Sequence, residues 1–372
     1  MIAKMDRTGS VEALHRLLKE VTGLPEVQSI MILACDENGF SPSQIDPILA
    51  EMQIPVFGGV FPEIIHEKEK LTRGCIVAGL TTRAEVQIIP GLSDVSADYE
   101  ALIGKAGASA ATRTIIVFVD GLARRISAWV DALFNVFGLQ VNYLGGGAGS
   151  LSFEQKPCLL TNEGLVQNCA VLAKLSLVSG VGVSHGWTEV AGPFQVTESD
   201  RNVIQTLDWA PAFEVYRKIV ESHSAKTFTK DNFFEIAKCY PFGMVKLGSE
   251  KIVRDPLMVQ GGDSLVCVGE VPRGSYVHIL TGDVQSLVSA AERALILGEQ
   301  YFPPTSGRKT TLLIDCISRV LFLQDEFRRE LEAVQRPNTS LIGALTLGEI
   351  ANSCEEYLEF HNKTVVVGVL AS

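Results

Sequence analysis

Apolar and polar positions along the chain fall into three stretches that share one plan. Each has an apolar run, an amphipathic stretch, a second apolar run broken by glycines, a polar loop and a closing apolar run. The first uses residues 30–36, 43–52, 56–59 and 75–80; the second 115–120, 124–137, 144–147 and 169–173. The third uses residues 312–315, 318–335, 341–344 and 365–370. Short apolar runs bounded by turn residues predict buried strands, and the stretches at helical spacing predict helices. In the second stretch Ile126, Trp129, Val130, Leu133 and Phe137 recur on one helical face, and Gly138 supplies a stop. Two strands joined by such a helix lie parallel, through a right-handed crossover. An acidic residue closes the opening strand each time: Asp36, Asp120 and Asp315. Self-similarity at this scale is an architectural signal.

Between these stretches the pattern is looser. Val11, Leu14, Leu17 and Leu18 share a face of an N-terminal helix, residues 81–90 read as a strand, and 91–107 as a linker with a short helix. Residues 175–196 give two strand-like runs with glycine breaks. Asp208 is expected to begin a helix with Pro211 in its first turn, and residues 232–238 a second. Strand-like runs at 244–247, 252–254, 264–268 and 275–280, separated by turns at 261–263 and 272–274, predict an antiparallel meander. Asp283 caps a further helix that buries Val284, Leu287, Val288, Ala291 and Leu295. Composition turns polar at 199–201, where a domain boundary is expected. The fold class is therefore α/β, with two domains built from repeated strand–helix–strand units around mixed sheets.

Composition narrows the function. A chain of 372 residues that is 47% hydrophobic has material for real cores. Its net charge of −11, with no basic run, argues against nucleic acid as a partner. No apolar run approaches the ~20 residues that span a bilayer, so no membrane partner is expected. Eight cysteines without CxxC spacing argue against zinc and a redox dithiol, and fit reduced thiols in the cytoplasm.

Candidate chemistry gathers at strand ends, above all in residues 341–370. Arg319, just past the third opening strand, can fork onto a carboxylate. Glu349, His361 and Asn362 can receive an ammonium or another donor, while Gly348 lets backbone amides approach a ligand. A cation beside an acid and an amide suits a small zwitterion; the competing reading is an internal Arg319–Glu349 salt bridge. Gly145 and Gly146 sit in a glycine run that offers backbone amides, but no helix follows it as a dinucleotide fold requires. Ser184 lies in a G-x-S-x-G stretch that continues as strand rather than as a nucleophile elbow. Cys316 with His361 and Asn362 imitates a nucleophilic set, although the adjacent Asp315 raises a thiol's pKa. A hydrolase or transferase using Cys316 or Ser184 is thus the alternative to a binding module. No Walker loop, HExxH or paired-cysteine motif is present, so no cofactor is implied.

The segments DCISRVLFLQDEFRREL, GALTLGEIA and FHNKTVVVG resemble the C-terminal domain of the FIST family of ligand-sensing modules. The matching positions are Cys316, Arg319, Gly348-Glu349-Ile350 and His361 to Thr364. Tyr240 to Gly243 and Val253 to Pro256 resemble it too. Residues 55–59, 142–146 and 182–187 resemble the family's N-terminal domain. The resemblance implies an N-terminal domain over residues 1–200 and a C-terminal one over 201–372. It further implies a cytoplasmic sensor for small ligands, amino acids among them, in signal transduction. With no kinase, cyclase or F-box segment in the chain, the output is expected to pass through a separate protein partner.

Overall fold

The three apolar stretches fold into three copies of one unit: strand, helix, strand, helix, strand, a short two-stranded hairpin, and a closing strand. The computed structural model describes residues 1–104, 109–246, 251–304, 308–352 and 357–371. Unit one comprises β1 (Ile2–Asp6), α1 (Val11–Thr22), β2 (Ser29–Cys35), α2 (Pro42–Ala50), β3 (Val56–Phe61), β4 (Glu63–His66), β5 (Glu69–Leu71) and β6 (Cys75–Leu80). Unit two comprises β7 (Glu85–Pro90), α3 (Tyr99–Gly104), β8 (Thr114–Asp120), α4 (Ile126–Phe137), β9 (Asn142–Ala148), β10 (Leu159–Thr161), β11 (Gly164–Val166) and β12 (Cys169–Leu175).

Unit three opens with β13 (Ser179–Ser184) and is then interrupted by an insert. The insert holds β14 (Thr188–Asp200), β15 (Val203–Leu207), β16 (Ala210–Pro211), α5 (Ala212–Ser224), α6 (Phe233–Ala237), β17 (Phe242–Met244), β18 (Ile252–Arg254), β19 (Pro256–Gln260), β20 (Ser264–Cys267) and β21 (Tyr276–Thr281). The unit resumes with α7 (Val284–Tyr301), β22 (Lys309–Cys316), α8 (Ile317–Leu323), α9 (Phe327–Val334) and β23 (Ser340–Thr346). It ends with β24 (Glu349–Ala351), β25 (Glu359–His361) and β26 (Val365–Ala371).

Each unit builds the same sheet. The opening strand lies between its parallel neighbour across the helix and the antiparallel closing strand: β3-β2-β6, β9-β8-β12 and β23-β22-β26. The first strand then adds beside the closing strand. The hairpin never joins its own sheet. Hairpin β10–β11 extends sheet one through β3, β24–β25 extends sheet two through β9, and β4–β5 extends sheet three through β23. The three units are therefore interlocked in a cycle, and sheet three draws strands from residues 63–71, 179–184 and 309–371.

Register confirms the repetition residue by residue. Gly58, Gly145 and Gly343 pair with Ile32, Val117 and Leu313 of the opening strands. A Cβ at any of the three would collide with that partner's carbonyl oxygen. Two residues before each glycine, the backbone N–H donates to a side chain of the incoming hairpin or its flank. Val56 donates to Asn162 Oδ1 at 2.8 Å, Tyr143 to Asn352 Oδ1 at 2.9 Å, and Leu341 to Glu67 Oε1 at 3.3 Å.

Strand residues alternate between two apolar environments. Ile116 and Phe118 of β8 join a central cluster with Ile32, Leu312 and Ile314, while Ile115, Val117 and Val119 pack on Trp129 and Leu133 of α4. Both faces are covered, which is why the strands read as continuous apolar runs. Burying each such side chain is worth about 1.5–3 kcal/mol. The insert has its own core around Tyr216, Phe233 and Phe242, under an eight-stranded sheet.

Several expectations need correction. With the glycines aligned, Asp120 matches Cys35 and Cys316, so Asp36 falls one position later and Asp315 one earlier. The helix expected over 318–335 breaks at Gln324, whose φ is +50°. Asp208 does not begin a helix: it bonds the Gln195 N–H and turns with Trp209 at positive φ, and α5 starts after Pro211. The strands of 242–281 pair antiparallel but interleave with β14 and β15 instead of forming a meander. Leu247 and residues 105–107, read as strand end and linker, lie outside the described residues.

The shared contact is directly testable. Asn162→Ala frees the Val56 N–H and also removes the amide's bonds to the carbonyls of Met52 and Ile54. The expected loss is about 1–3 kcal/mol for each of Asn162→Ala and Asn352→Ala. Glu67→Ala should lose less, because its bond is longer and half-buried. Urea unfolding of the three variants measures this, and unchanged midpoints for both asparagines would rule out the contact as a stabilising one.

Candidate ligand site

The C-terminal ends of β22 and β23 and the start of β26 converge on a buried polar junction. Arg319, one helical turn beyond Asp315, is wholly buried. Its Nε lies 3.1 Å from Asp315 Oδ1, and its Nη2 donates to Glu330 Oε1 at 2.6 Å. Nη1 donates to the His185 carbonyl at 2.7 Å, and Nη2 also to the Leu287 carbonyl at 3.1 Å. The guanidinium's partners are thus Asp315 and Glu330 rather than Glu349. Asp315 Oδ2 and Glu330 Oε2 have no hydrogen-bond partner among the described residues. Burial, and then the Glu330 charge, push Asp315 well above the usual carboxylate range.

Glu349 faces the same space from β24. Its carboxyl accepts from Thr346 Oγ1 at 3.0 Å and from the Thr364 N–H at 3.3 Å. Burial raises it to about 8. The Cys316 thiol bonds to that carboxyl, and burial followed by the Glu349 charge push the thiol far up, away from thiolate character. His361 Nε2 lies 3.3 Å from the Ala351 carbonyl, and burial pulls its pKa down to about 4. Asn362 Oδ1 accepts from Arg254 Nη1 at 3.3 Å, while Asn362 Nδ2 has no partner among the described residues. Gly348, at φ +93°, leaves no room for a Cβ beside the Phe360 ring.

Gly145 and Gly146 pair with Ile350 and Glu349, which brings the glycine run of unit two against the polar residues of unit three. Ser184 is buried opposite Val365 at the end of β13, and the chain continues into β14, not into a helix. The nine residues named from the sequence (Cys316, Arg319, Gly348, Glu349, His361, Asn362, Gly145, Gly146 and Ser184) therefore lie on neighbouring elements, with Ser184 and the two glycines of β9 set there by backbone pairing. Lys363, which sequence reasoning passed over, joins them: its Nζ lies 3.1 Å from Asp255 Oδ2 of the insert and 5.2 Å from the Trp187 ring centre.

The accessible space lies beside this junction. A cleft of about 320 Å³ opens between unit two and the insert. Its walls are residues 121–124 and the first turn of α4 on one side, and Arg201, Asn202 and residues 268–270 on the other, with Phe360 behind. None of the nine lines it. Arg254, buried behind Gly269, ties the insert wall to the back of the cleft: Nε donates to the Glu270 carbonyl and Nη1 to the Phe360 carbonyl, at 2.9 and 3.0 Å. A larger groove, about 840 Å³, runs along hairpin β4–β5 at the opposite end of β23 and is open surface. Arg124 and Arg201 carried no distinguishing sequence signal, because the insert brings together residues 77 apart, a separation no local pattern encodes.

Glu349 generates a pH prediction. The folded protein retains a proton up to about pH 8 that the unfolded chain releases near 4.3. Stability should therefore fall as pH rises through that window and level off above it. Glu349→Gln removes the proton exchange, so its unfolding midpoint should drop less than the wild type's between pH 5 and pH 8. Parallel slopes for the two proteins would show that Glu349 ionises normally.

Comparison with known families agrees with this architecture. The FIST N domain matches residues 29–210 and the FIST C domain residues 212–352. No curated protein matches the chain. The first match runs from β2 of unit one through unit two to the first strands beyond it, and the second from α5 to the end of β24. These domains are associated with small-ligand sensing in signalling. With the two matches covering most of its length, the chain belongs to the FIST family.

Proposed function

We propose that this protein is a cytoplasmic sensor that holds a small metabolite in the cleft between unit two and the insert, and reports occupancy to a separate signalling partner. The observation that carries the reading is the placement of Arg254, whose guanidinium joins the carbonyl of Glu270 in the insert wall to that of Phe360 at the back of the cleft. A ligand pressing on the insert wall or on the back acts on that link. Clefts between packed layers are common ligand sites. Amino acids are the first candidates, since the walls offer both cationic groups and the Glu270 carboxylate. In this proposal Arg319, Glu349, Cys316 and Asn362 form the rigid backing of the cleft rather than its contact surface.

A thermal-shift screen of the full chain against amino acids and related metabolites tests it. A ligand at a hundred times its Kd should add about 2.7 kcal/mol. The absence of any stabilising compound, together with turnover of one of them, would favour the enzyme alternative. Arg319→Lys should lower the melting temperature of the protein without added ligand, because an ammonium cannot serve two carboxyls and two carbonyls at once. A variant that melts like the wild type but loses ligand would instead put Arg319 in direct contact with it. Cys316 should alkylate slowly in the folded state, with an apparent pKa above the ordinary ~8.5. Rapid iodoacetamide labelling at pH 7 would contradict the buried, neutral thiol.

A further inference from the structure

We infer that the cleft is an anion site, built for a small ligand carrying two negative charges, a dicarboxylate or a phosphomonoester. This rests on the cleft being the ligand site, and it narrows the amino acids and metabolites named above to those with two acidic groups. Arg254 is the central observation. It is 3% exposed, yet it forms no ion pair with any described residue: its partners are the carbonyls of Val253, Glu270 and Phe360 and the Asn362 amide oxygen. Its Nη2 donates to none of the described residues. Arg319, equally buried, is matched by two acids, so an unmatched guanidinium is not the rule in this protein. A buried charge without a counter-charge is costly, and burial pulls Arg254 down to about 10.

Arg254 lies at the cleft floor. A Cβ placed on Gly269, a cleft-lining residue, would sit 3.0 Å from Arg254 Nε and 3.1 Å from Asn362 Oδ1. The missing side chain keeps the guanidinium next to the open space. Asn362, 1% exposed, turns its Oδ1 to this wall, while its Nδ2, unpartnered among the described residues, lies beside Gly348. The rim repeats the sign. Arg124 has no side-chain partner among the described residues, and Arg201 lies 3.7 Å from an exposed Asp200. Ile126 and Ser127, in the first turn of α4, a helix of 12 residues, line the same space, on the positive end of its dipole. Three arginines stand against one carboxylate, Glu270, among the described residues of the cleft and its floor. With Asp200 beside Arg201 at the rim, a net positive charge remains, and it favours an anion.

Inorganic phosphate and succinate are the two probes, titrated calorimetrically into the full chain, with L-alanine and succinamide as controls. Binding of phosphate alone assigns a phosphomonoester, and of succinate alone a dicarboxylate; binding of both supports the shared dianionic chemistry. Arg124→Ala and Arg201→Ala, at exposed positions where folding is not at stake, should each weaken the bound probe about tenfold, and Arg→Lys should restore part of it. Added salt should weaken binding further. If neither dianion binds, the inference falls. If L-alanine binds and both arginine variants leave its affinity unchanged while Asn202→Ala abolishes it, the cleft stands as a ligand site but not as an anion site. A dianion bound equally well by the Arg124→Ala, Arg201→Ala double variant sits elsewhere and overturns both readings.

Discussion

The backbone pairing between a hairpin of one unit and the second strand of another is the constraint on which the rest of the molecule depends. Each unit on its own would leave the edge of β3, β9 or β23 unpaired, and an open edge of apolar strands invites non-specific association. The cycle closes those edges internally. It also fixes register, because the second strand is held by glycine contact on one side and by the incoming hairpin on the other. The cost is kinetic. β4 must find β23 across more than 270 residues, so the contacts that complete the sheets are among the most distant in sequence.

Inside that frame, charge is placed in two different ways. At the ends of β22 and β23, Arg319 is enclosed by two carboxyls and two carbonyls, and Lys363 by Asp255 and the Lys238 carbonyl. Such groups hold a fixed geometry because any displacement strands a charge in a low dielectric. Arg254 has carbonyls and an amide instead of an acid. The contrast sets cations locked by acids apart from one held by neutral acceptors.

How much of this could be read from the sequence follows from how local each signal is. The opening, second and closing strands were legible because each is a short apolar run with its own glycine or turn boundary. The hairpins were not: strands such as Leu159–Thr161 and Glu349–Ala351 have three residues each, too few for a period, and their partners lie in another unit. The aspartates Asp36, Asp120 and Asp315 looked equivalent because each follows an apolar run, whereas register sets them one position apart. In the polar junction, residue types marked groups from neighbouring elements, since acids, amides and cations at strand ends must be paired somewhere. Their depth was hidden, because the insert that covers them is distant in sequence and reads as ordinary strands and helices. Arg124 and Arg201 gave no signal for the same reason.

The insert occupies the connection between the first strand and first helix of unit three. Units one and two cross the same connection with short loops, residues 7–10 and 91–98. The cyclic core therefore has three equivalent ports on its surface, of which one carries an elaborated domain. A port whose two ends are already pinned by a strand and a helix tolerates replacement of whatever lies between them. On this architecture, what the protein recognises can diversify by exchange of cassettes at one port while the interlocked ring beneath keeps its register.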